Sequence, residues 1–265
     1  MAKTKNQAAA SMDNIYTLDG KVSLLKSIPF GLQHVLAMFV ANIAPIMIVT
    51  GASGLSTQET AALIQTAMIM AGIGTLTYYD PATGAFGALG HGVNDPGGDL
   101  VVMTQGFAFS AQVDTVRKGR AGEPGQLMGS VTNPEPLAQL SKNTPQGVFG
   151  KGNRLFSGDP LPTASAEQIR TGPATIRSTV QNGTVREYSV EILKIYPGSG
   201  ADGRNMVLRI TDPALLECTG GIVQGMSGSP IIQDGKLIGA VTHVLVSDPT
   251  TGYGIFIENM LDAAA

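Results

Sequence analysis

Tryptophan is absent from the 265-residue sequence, and cysteine occurs once, as Cys218. A single cysteine excludes an internal disulfide, but it leaves the compartment open because disulfide-free proteins work on either side of a membrane. Charged residues make up only 14% of the chain, and the net charge of −3 gives no electrostatic basis for binding nucleic acid. No histidine and cysteine cluster has metal-ligand spacing, and no phosphate-binding or dinucleotide motif occurs, so we expect neither a metal nor a cofactor.

Glycine, by contrast, is abundant, with 34 residues. Together with many Val, Ile and Thr residues it favours short strands joined by tight turns, as in a barrel or sandwich. Asp234-Gly235 between two apolar runs predicts a β-hairpin. Helical signals are limited to a turn near Ser165–Arg170 and the tail after Ile257. The predicted strands are 100–104, 107–116, 174–180, 184–195, 205–211, 230–233, 236–246 and 253–258.

The first part of the sequence differs sharply from the rest. Residues 28–50 carry no charge, and about 20 apolar residues in a helix match the thickness of a bilayer core. Lysines precede this stretch, which places the N-terminus inside by the positive-inside rule. We therefore predict a polar tail at 1–27, a hydrophobic helical segment at 28–70 that anchors the chain in a membrane, and an extracytoplasmic domain at 71–265.

The run Gly225-Met226-Ser227-Gly228-Ser229-Pro230 has the pattern expected of a catalytic serine turn. Acyl transfer needs a serine on a tight turn with backbone N–H groups aimed at the developing oxyanion. Glycine at 225 lets its own N–H and that of Ser227 converge, and Gly228 leaves the space beside the serine hydroxyl open. The run predicts Ser227 as a nucleophile, with Gly225 and Ser227 as the oxyanion hole. An ordinary glycine-rich turn is the alternative.

A nucleophilic serine needs a base, and the chain has three histidines. His34 lies in the hydrophobic segment, and His243 lies inside a predicted strand, where a packed or edge histidine is usual. His91 follows small residues that would end a strand and expose the imidazole, so we favour it as general base. The order histidine then serine fits the chymotrypsin type and excludes the α/β-hydrolase order.

A carboxylate should fix the tautomer of the histidine. Asp212 follows a predicted strand and precedes a proline, so it can project from a strand end near Ser227. A helix N-cap or a turn explains the same pattern, and spacing alone does not decide. The candidates are Asp95, Asp99, Asp114, Asp202, Asp212 and Asp248.

Five runs are similar to the stage IV sporulation protein B serine peptidases. They are Ala88–Gly92, Lys118–Gly125, Asn143–Gly150, Gly221–Ile232 and Gly252–Glu258. The resemblance covers about Gly72 to Leu261 and implies a chymotrypsin-like double β-barrel, with Ser227 and His91 catalytic and Asp212 as the third member. It also implies a sporulation signalling protease that cuts a membrane-bound regulator in the space between mother cell and forespore. These relatives usually carry a PDZ domain, which the sequence does not show.

Residues from about Lys26 to Thr77 resemble another family. Pro29–Phe39 and Ala41–Pro45 are similar to the first membrane helix of xanthine/uracil permeases, which need a dozen or more such segments. We therefore reject transport. Residues 71–79 fit either a second membrane helix or the opening strand of the peptidase, and we favour the strand because an unpaired edge would be costly.

We predict a serine endopeptidase that acts on a protein substrate. A structure in which the side chains of His91 and Ser227 lie close together would support this prediction. The alternatives are a catalytically inactive binding or regulatory module, or a non-functional fusion that carries a permease fragment. A wide separation of the two side chains would favour the binding module.

Overall fold

The computed structural model of the chain describes residues 73–95, 97–103, 106–152, 159–181, 183–198 and 204–265. The predicted tail at 1–27, the hydrophobic segment at 28–70 with His34, and the candidate Asp202 lie outside these residues. None of the helices in the described part of the chain is long and apolar enough to cross a lipid bilayer.

Antiparallel strands dominate the described residues, and two α-helices and one short 3-10 turn accompany them. The strands are β1 (Leu76–Tyr79), β2 (Ala85–Ala88), β3 (Gly106–Ala108), β4 (Ala111–Arg117), β5 (Gln126–Val131), β6 (Ala138–Thr144), β7 (Gly147–Gly152), β8 (Gly172–Ser178), β9 (Arg186–Ile195), β10 (Met206–Ile210), β11 (Pro230–Gln233), β12 (Lys236–Val244) and β13 (Thr251–Phe256). The helices are α1 (Pro213–Thr219) and α2 (Ile257–Ala264), and the 3-10 turn is Ala166–Gln168.

The second half of the domain is a closed six-stranded barrel in the order β10-β13-β12-β11-β8-β9. The first half is an open sheet in the order β1-β2-β7-β6-β3, beside a ribbon of β4 and β5. The mainly β prediction is therefore confirmed, but the described residues close one barrel rather than two. The first half stays open because β4 and β5 pair with each other and the three-residue β3 pairs with β6 alone.

Alternating burial explains the barrel. Tyr188, Val190 and Ile192 on β9 point inward, while their neighbours face outward or lie half-buried. Met206 and Leu208 on β10 follow the same period of two and are fully buried. Each such side chain contributes about 1.5–3 kcal/mol when it leaves water. The sequence pattern and the barrel interior therefore agree.

A second core cluster joins the open sheet to the barrel. Phe149 on β7 packs with Ala240 on β12, Ile255 on β13 and Met260 on α2. Because β12 is covered on both faces, most of its residues are buried, including Ala240 at 0% exposure. This cluster fixes the position of the sheet relative to the barrel.

The predicted strands of the barrel are confirmed to within about two residues, as is the hairpin. Asp234 has a φ of +51° and Gly235 a φ of +74°, the two positive values that a two-residue hairpin turn requires. Of residues 71–79, for which we favoured a strand, 76–79 form β1 and pair with β2, 73–75 form no strand, and 71–72 lie outside the described residues.

Two strand predictions in the first half are wrong. Residues 100–103 form no strand, and Val102 is 88% exposed. The predicted strand 107–116 is split between β3 and β4, because the chain leaves the open sheet at residues 109–110 and enters the ribbon. The predicted strand 253–258 ends at Phe256, where α2 begins.

Candidate active site

Ser227 lies on a tight turn between α1 and β11. Gly225 and Gly228 flank it with φ values of +100° and +89°, which glycine adopts without strain. A Cβ at Gly228 would lie 2.0 Å from Thr75 O and 2.6 Å from Leu89 N. Glycine is therefore required here, because the start of the open sheet presses directly against the turn.

The backbone N–H groups of this turn fall into two sets, those with and those without a hydrogen-bond acceptor. Met226 N–H donates to Val223 O at 3.1 Å, and Gly228 N–H donates to Val241 O at 2.8 Å. The N–H groups of Gly225 and Ser227 have no acceptor among the described residues. Two half-buried amides without an internal acceptor are what an oxyanion hole needs.

The hydroxyl of Ser227 donates to Thr242 O on β12 at 3.0 Å. The backbone carbonyl of Ser227 accepts from Thr75 N–H at 2.8 Å, and Thr77 Oγ1 donates to Gly228 O at 2.8 Å. The turn is thus held by β12 on one side and by β1 with the residues before it on the other.

The loop that carries His91 leaves β2 through a γ-turn. Gly90 N–H donates to Ala88 O at 2.8 Å, around Leu89 with a φ of +69°. A leucine in this region is uncommon, and γ-turns with a positive φ are strained. A Cβ at Gly90 would lie 2.9 Å from the Thr242 side chain, so the loop crosses β12 at close range.

His91 is half-buried and beside a second histidine. Its Nδ1 lies 2.9 Å from Gly92 O, which can only accept, so this contact fits the neutral tautomer with the proton on Nδ1 and the lone pair on Nε2. The ring centroid of His243 lies 5.2 Å away, with the planes tilted by 40°. His243 directly follows Thr242, the acceptor for Ser227. The structure therefore brings His91 and Ser227 to one part of the molecule, and their loops touch.

Asp212 lies at the N-terminus of α1. Its Oδ1 accepts from Leu215 N–H at 3.0 Å, and its Oδ2 accepts from Ser189 N–H at 3.4 Å. Asp212 is the N-cap of the helix, as the alternative interpretation of its sequence position predicted. Its assignment as third catalytic member rests on the resemblance and stays a prediction.

The other described candidate aspartates serve local structure or face solvent. Asp95 and Asp248 accept hydrogen bonds from residues two to four positions onward, and Asp114 accepts from a side chain on the same strand. Asp99 is exposed. Among the described residues, no carboxylate is hydrogen-bonded to His91.

Cys218 is half-buried on α1, and burial raises the pKa of its thiol above the ordinary value while Lys118 opposes the shift. A thiol that stays protonated at neutral pH is a poor nucleophile. Ser227 therefore has no competitor from cysteine in this chain.

Residues 64–261 match the family model of the SpoIVB peptidase S55. The chain belongs to the SpoIVB peptidase S55 family. Its recognition as a stage IV sporulation protein B peptidase is thereby confirmed, and it is a serine peptidase whose substrate is a protein. The resemblance of the first residues to permeases stays a prediction.

Several solved protease structures are similar to this SpoIVB-family chain. The Rv3671c protease from M. tuberculosis in its active form is 18% identical, over 61% of this chain and 78% of that chain, with a TM-score of 0.38. Its inactive form is 16% identical, over 56% and 84%, with a TM-score of 0.36. The HtrA-type protease AlgW with decapeptide is 16% identical, over 52% and 43%, with a TM-score of 0.37. No curated protein sequence matches significantly.

Proposed function

We propose that this protein is a serine endopeptidase in which Ser227 is the nucleophile and His91 the general base. The observation that carries the proposal is the contact between their two loops. Leu89, two residues before His91, donates its N–H to Thr75 O, and Thr75 N–H donates to the carbonyl of Ser227. The family membership supplies the reaction class.

In the proposed mechanism the Ser227 hydroxyl turns from Thr242 O toward Nε2 of His91. Ser227 Oγ attacks the peptide carbonyl while His91 takes its proton, and the amides of Gly225 and Ser227 stabilise the oxyanion. Collapse of the tetrahedral intermediate breaks the C–N bond, and His91 returns the proton to the leaving amine. Water then attacks the acyl-enzyme with His91 again as base, which releases the acid and restores Ser227.

We further propose that the substrate is a membrane-bound regulatory protein cut during sporulation, outside the cytoplasm. Family membership supports this assignment, as does the uncharged stretch at 28–50. Alkaline carbonate extraction of membranes from cells that make the full chain tests the anchor. Release of the protein into the supernatant would contradict it.

The inactive binding module is less well supported. That alternative expects His91 and Ser227 to lie far apart, whereas their loops are in direct contact through Gly228 and Leu89. The serine hydroxyl donates to Thr242 O at 3.0 Å, so attack requires it to turn away from this acceptor toward His91.

Labelling with a fluorophosphonate probe tests the nucleophile. We expect the full chain to be labelled and Ser227→Ala to be unlabelled. Ser229→Ala is the matched control, because Ser229 lies two residues away, is 0% exposed and should leave labelling intact. A folded wild-type protein that resists the probe, or a Ser227→Ala variant that reacts, would overturn the proposal.

A further inference from the structure

Asn143 is the next-to-last residue of strand β6, and its side chain makes three hydrogen bonds to the segment after His91. Its Oδ1 accepts from Val93 N–H at 2.9 Å, and its Nδ2 donates to Val93 O at 2.8 Å and to Val101 O at 3.0 Å. The side chain thus pairs with Val93 as a neighbouring strand would. Asn143 lies 50 residues from Val93 in the sequence, so the contact depends on the fold.

The first of these bonds reaches His91 through a single peptide group. The Val93 N–H and the Gly92 C=O belong to the same planar peptide. Asn143 binds its N–H end, and Nδ1–H of His91 donates to its C=O end at 2.9 Å. Hydrogen bonds in such a chain polarise one another, which strengthens each of them.

Among the described residues the two ends of this peptide make no other hydrogen bond, although the next carbonyl, Val93 O, also accepts from Val101 N–H at 2.9 Å. Residues 91 and 92 belong to no strand, and a Cβ at Gly92 would lie 2.7 Å from Thr144 O, so the loop rests on the end of β6. If Asn143 released Val93, the Gly92 carbonyl could turn and His91 would lose the acceptor that selects its tautomer. Gly92 O thus accepts from the ring nitrogen that the carboxylate of a triad would bind, and Asn143 holds the other end of the same peptide.

We propose that Asn143 is a positioning residue that orients His91 through the Gly92–Val93 peptide. The proposal rests on the proposed function, in which His91 is the base. Only an asparagine supplies one acceptor and two donors at this reach, because aspartate has no donors and glutamine is one methylene longer. Residues that hydrogen-bond behind a metal-bound histidine typically contribute about 10- to 100-fold, and we expect an effect of the same order when Asn143→Ala slows acylation.

The first measurement is the rate of fluorophosphonate labelling across pH for wild type, Asn143→Ala and Asn143→Gln. We expect Asn143→Ala to be about 10- to 100-fold slower at every pH, with Asn143→Gln between it and wild type. Asn205→Ala is the matched control. Asn205 is buried, whereas Asn143 is half-buried, and its side chain likewise holds three hydrogen bonds, to Phe256, Asn259 and Tyr196, none of them to the His91 loop. Equal slowing by both alanine variants would reduce Asn143 to a stabilising residue and overturn the proposal.

The second measurement is nitrogen-15 NMR of the histidines in a Ser227→Ala background, which needs no catalysis. We expect His91 to hold its proton on Nδ1 with Asn143 present and to show mixed tautomers in Asn143→Ala. An unchanged tautomer would overturn the proposal even where labelling slows. If Asn143→Ala fails to fold, Asn143→Gln gives the same comparison. A wild-type protein that resists the probe, with a tautomer that still depends on Asn143, refutes the proposed function and leaves the orienting contact standing.

Discussion

Replacing Asp212 by asparagine and by alanine separates its two possible roles. Both oxygens of the carboxylate accept main-chain N–H groups, one from Leu215 in the first turn of α1 and one from Ser189 on β9. Asparagine caps helices as well as aspartate does, whereas alanine removes the cap. Asparagine cannot, however, replace a carboxylate that stabilises a protonated histidine.

The magnitudes are well separated. Loss of an N-cap costs about 1 kcal/mol, within a range of 0.5–2, and in a domain of this size 1 kcal/mol lowers Tm by about 2–4 °C. The same change of aspartate to asparagine in a Ser-His-Asp triad costs about 10⁴-fold in kcat with little change in structure. A stability effect and a catalytic effect therefore cannot be confused.

From the observed contacts we expect Asp212→Asn to keep the cap on Leu215 N–H, to lose the longer bond from Ser189 N–H and so to be less destabilised than Asp212→Ala; we also expect it to be labelled by a fluorophosphonate at a similar rate. Asp212→Ala should lose stability and keep most of its labelling rate at a temperature where it is folded. Thermal unfolding and labelling kinetics on the same samples measure both. A stable Asp212→Asn protein whose labelling falls by orders of magnitude would refute this reasoning and identify Asp212 as the third catalytic member.

Three further outcomes follow from packing and burial. Burial raises the pKa of Tyr78 to about 12. The contribution of its neutral phenol to the stability of the folded domain is therefore complete below about pH 10 and is lost as pH rises toward about 12. Absorbance titration should show a late phenolate step that Tyr78→Phe removes. Gly228→Ala places a Cβ 2.0 Å from Thr75 O at a positive φ, so labelling of Ser227 should be abolished or the domain should not fold, and full labelling would contradict the turn geometry. Met260→Ala empties a fully buried position between sheet and barrel and should lower the free energy of unfolding in urea by about 2–5 kcal/mol, whereas a change below 1 kcal/mol would show that α2 does not support the junction.

The barrel was predictable because its strands obey a simple rule. In β9 and β10 buried and exposed residues alternate, and the Asp234-Gly235 turn has one common solution. The first half lacks that signal. Strands β5, β6 and β7 are rich in glycine and polar residues, and they form because they pair with neighbouring strands, β5 with β4 and β6 with β7, rather than through local preference. Helix α1 has seven residues, too few for a period to show.

The candidate active site likewise contains residues that local sequence reveals and residues that only the fold reveals. The tight turn at Ser227 and the end of a strand before His91 were predictable, because each lies in a glycine-containing run whose local geometry can be inferred. His243 and Asn143 were not, since their importance comes from residues that are distant in sequence: His91 for the first, Val93 for the second. The capping role of Asp212 was one of two interpretations of its position, and only the neighbouring helix distinguishes them.

The hydrogen bonds that join β1 to the serine turn have a consequence for biosynthesis. Thr77 and Gly228 are 151 residues apart, and Thr242, which receives the serine hydroxyl, is made later still. At about 5–20 residues per second of translation, a ribosome exposes the β1 segment many seconds before its partner exists. Contacts of such long range also slow folding itself. The nascent polypeptide therefore carries no assembled serine turn, and the hydrogen bonds that hold Ser227 form only once the nearly complete domain has been made.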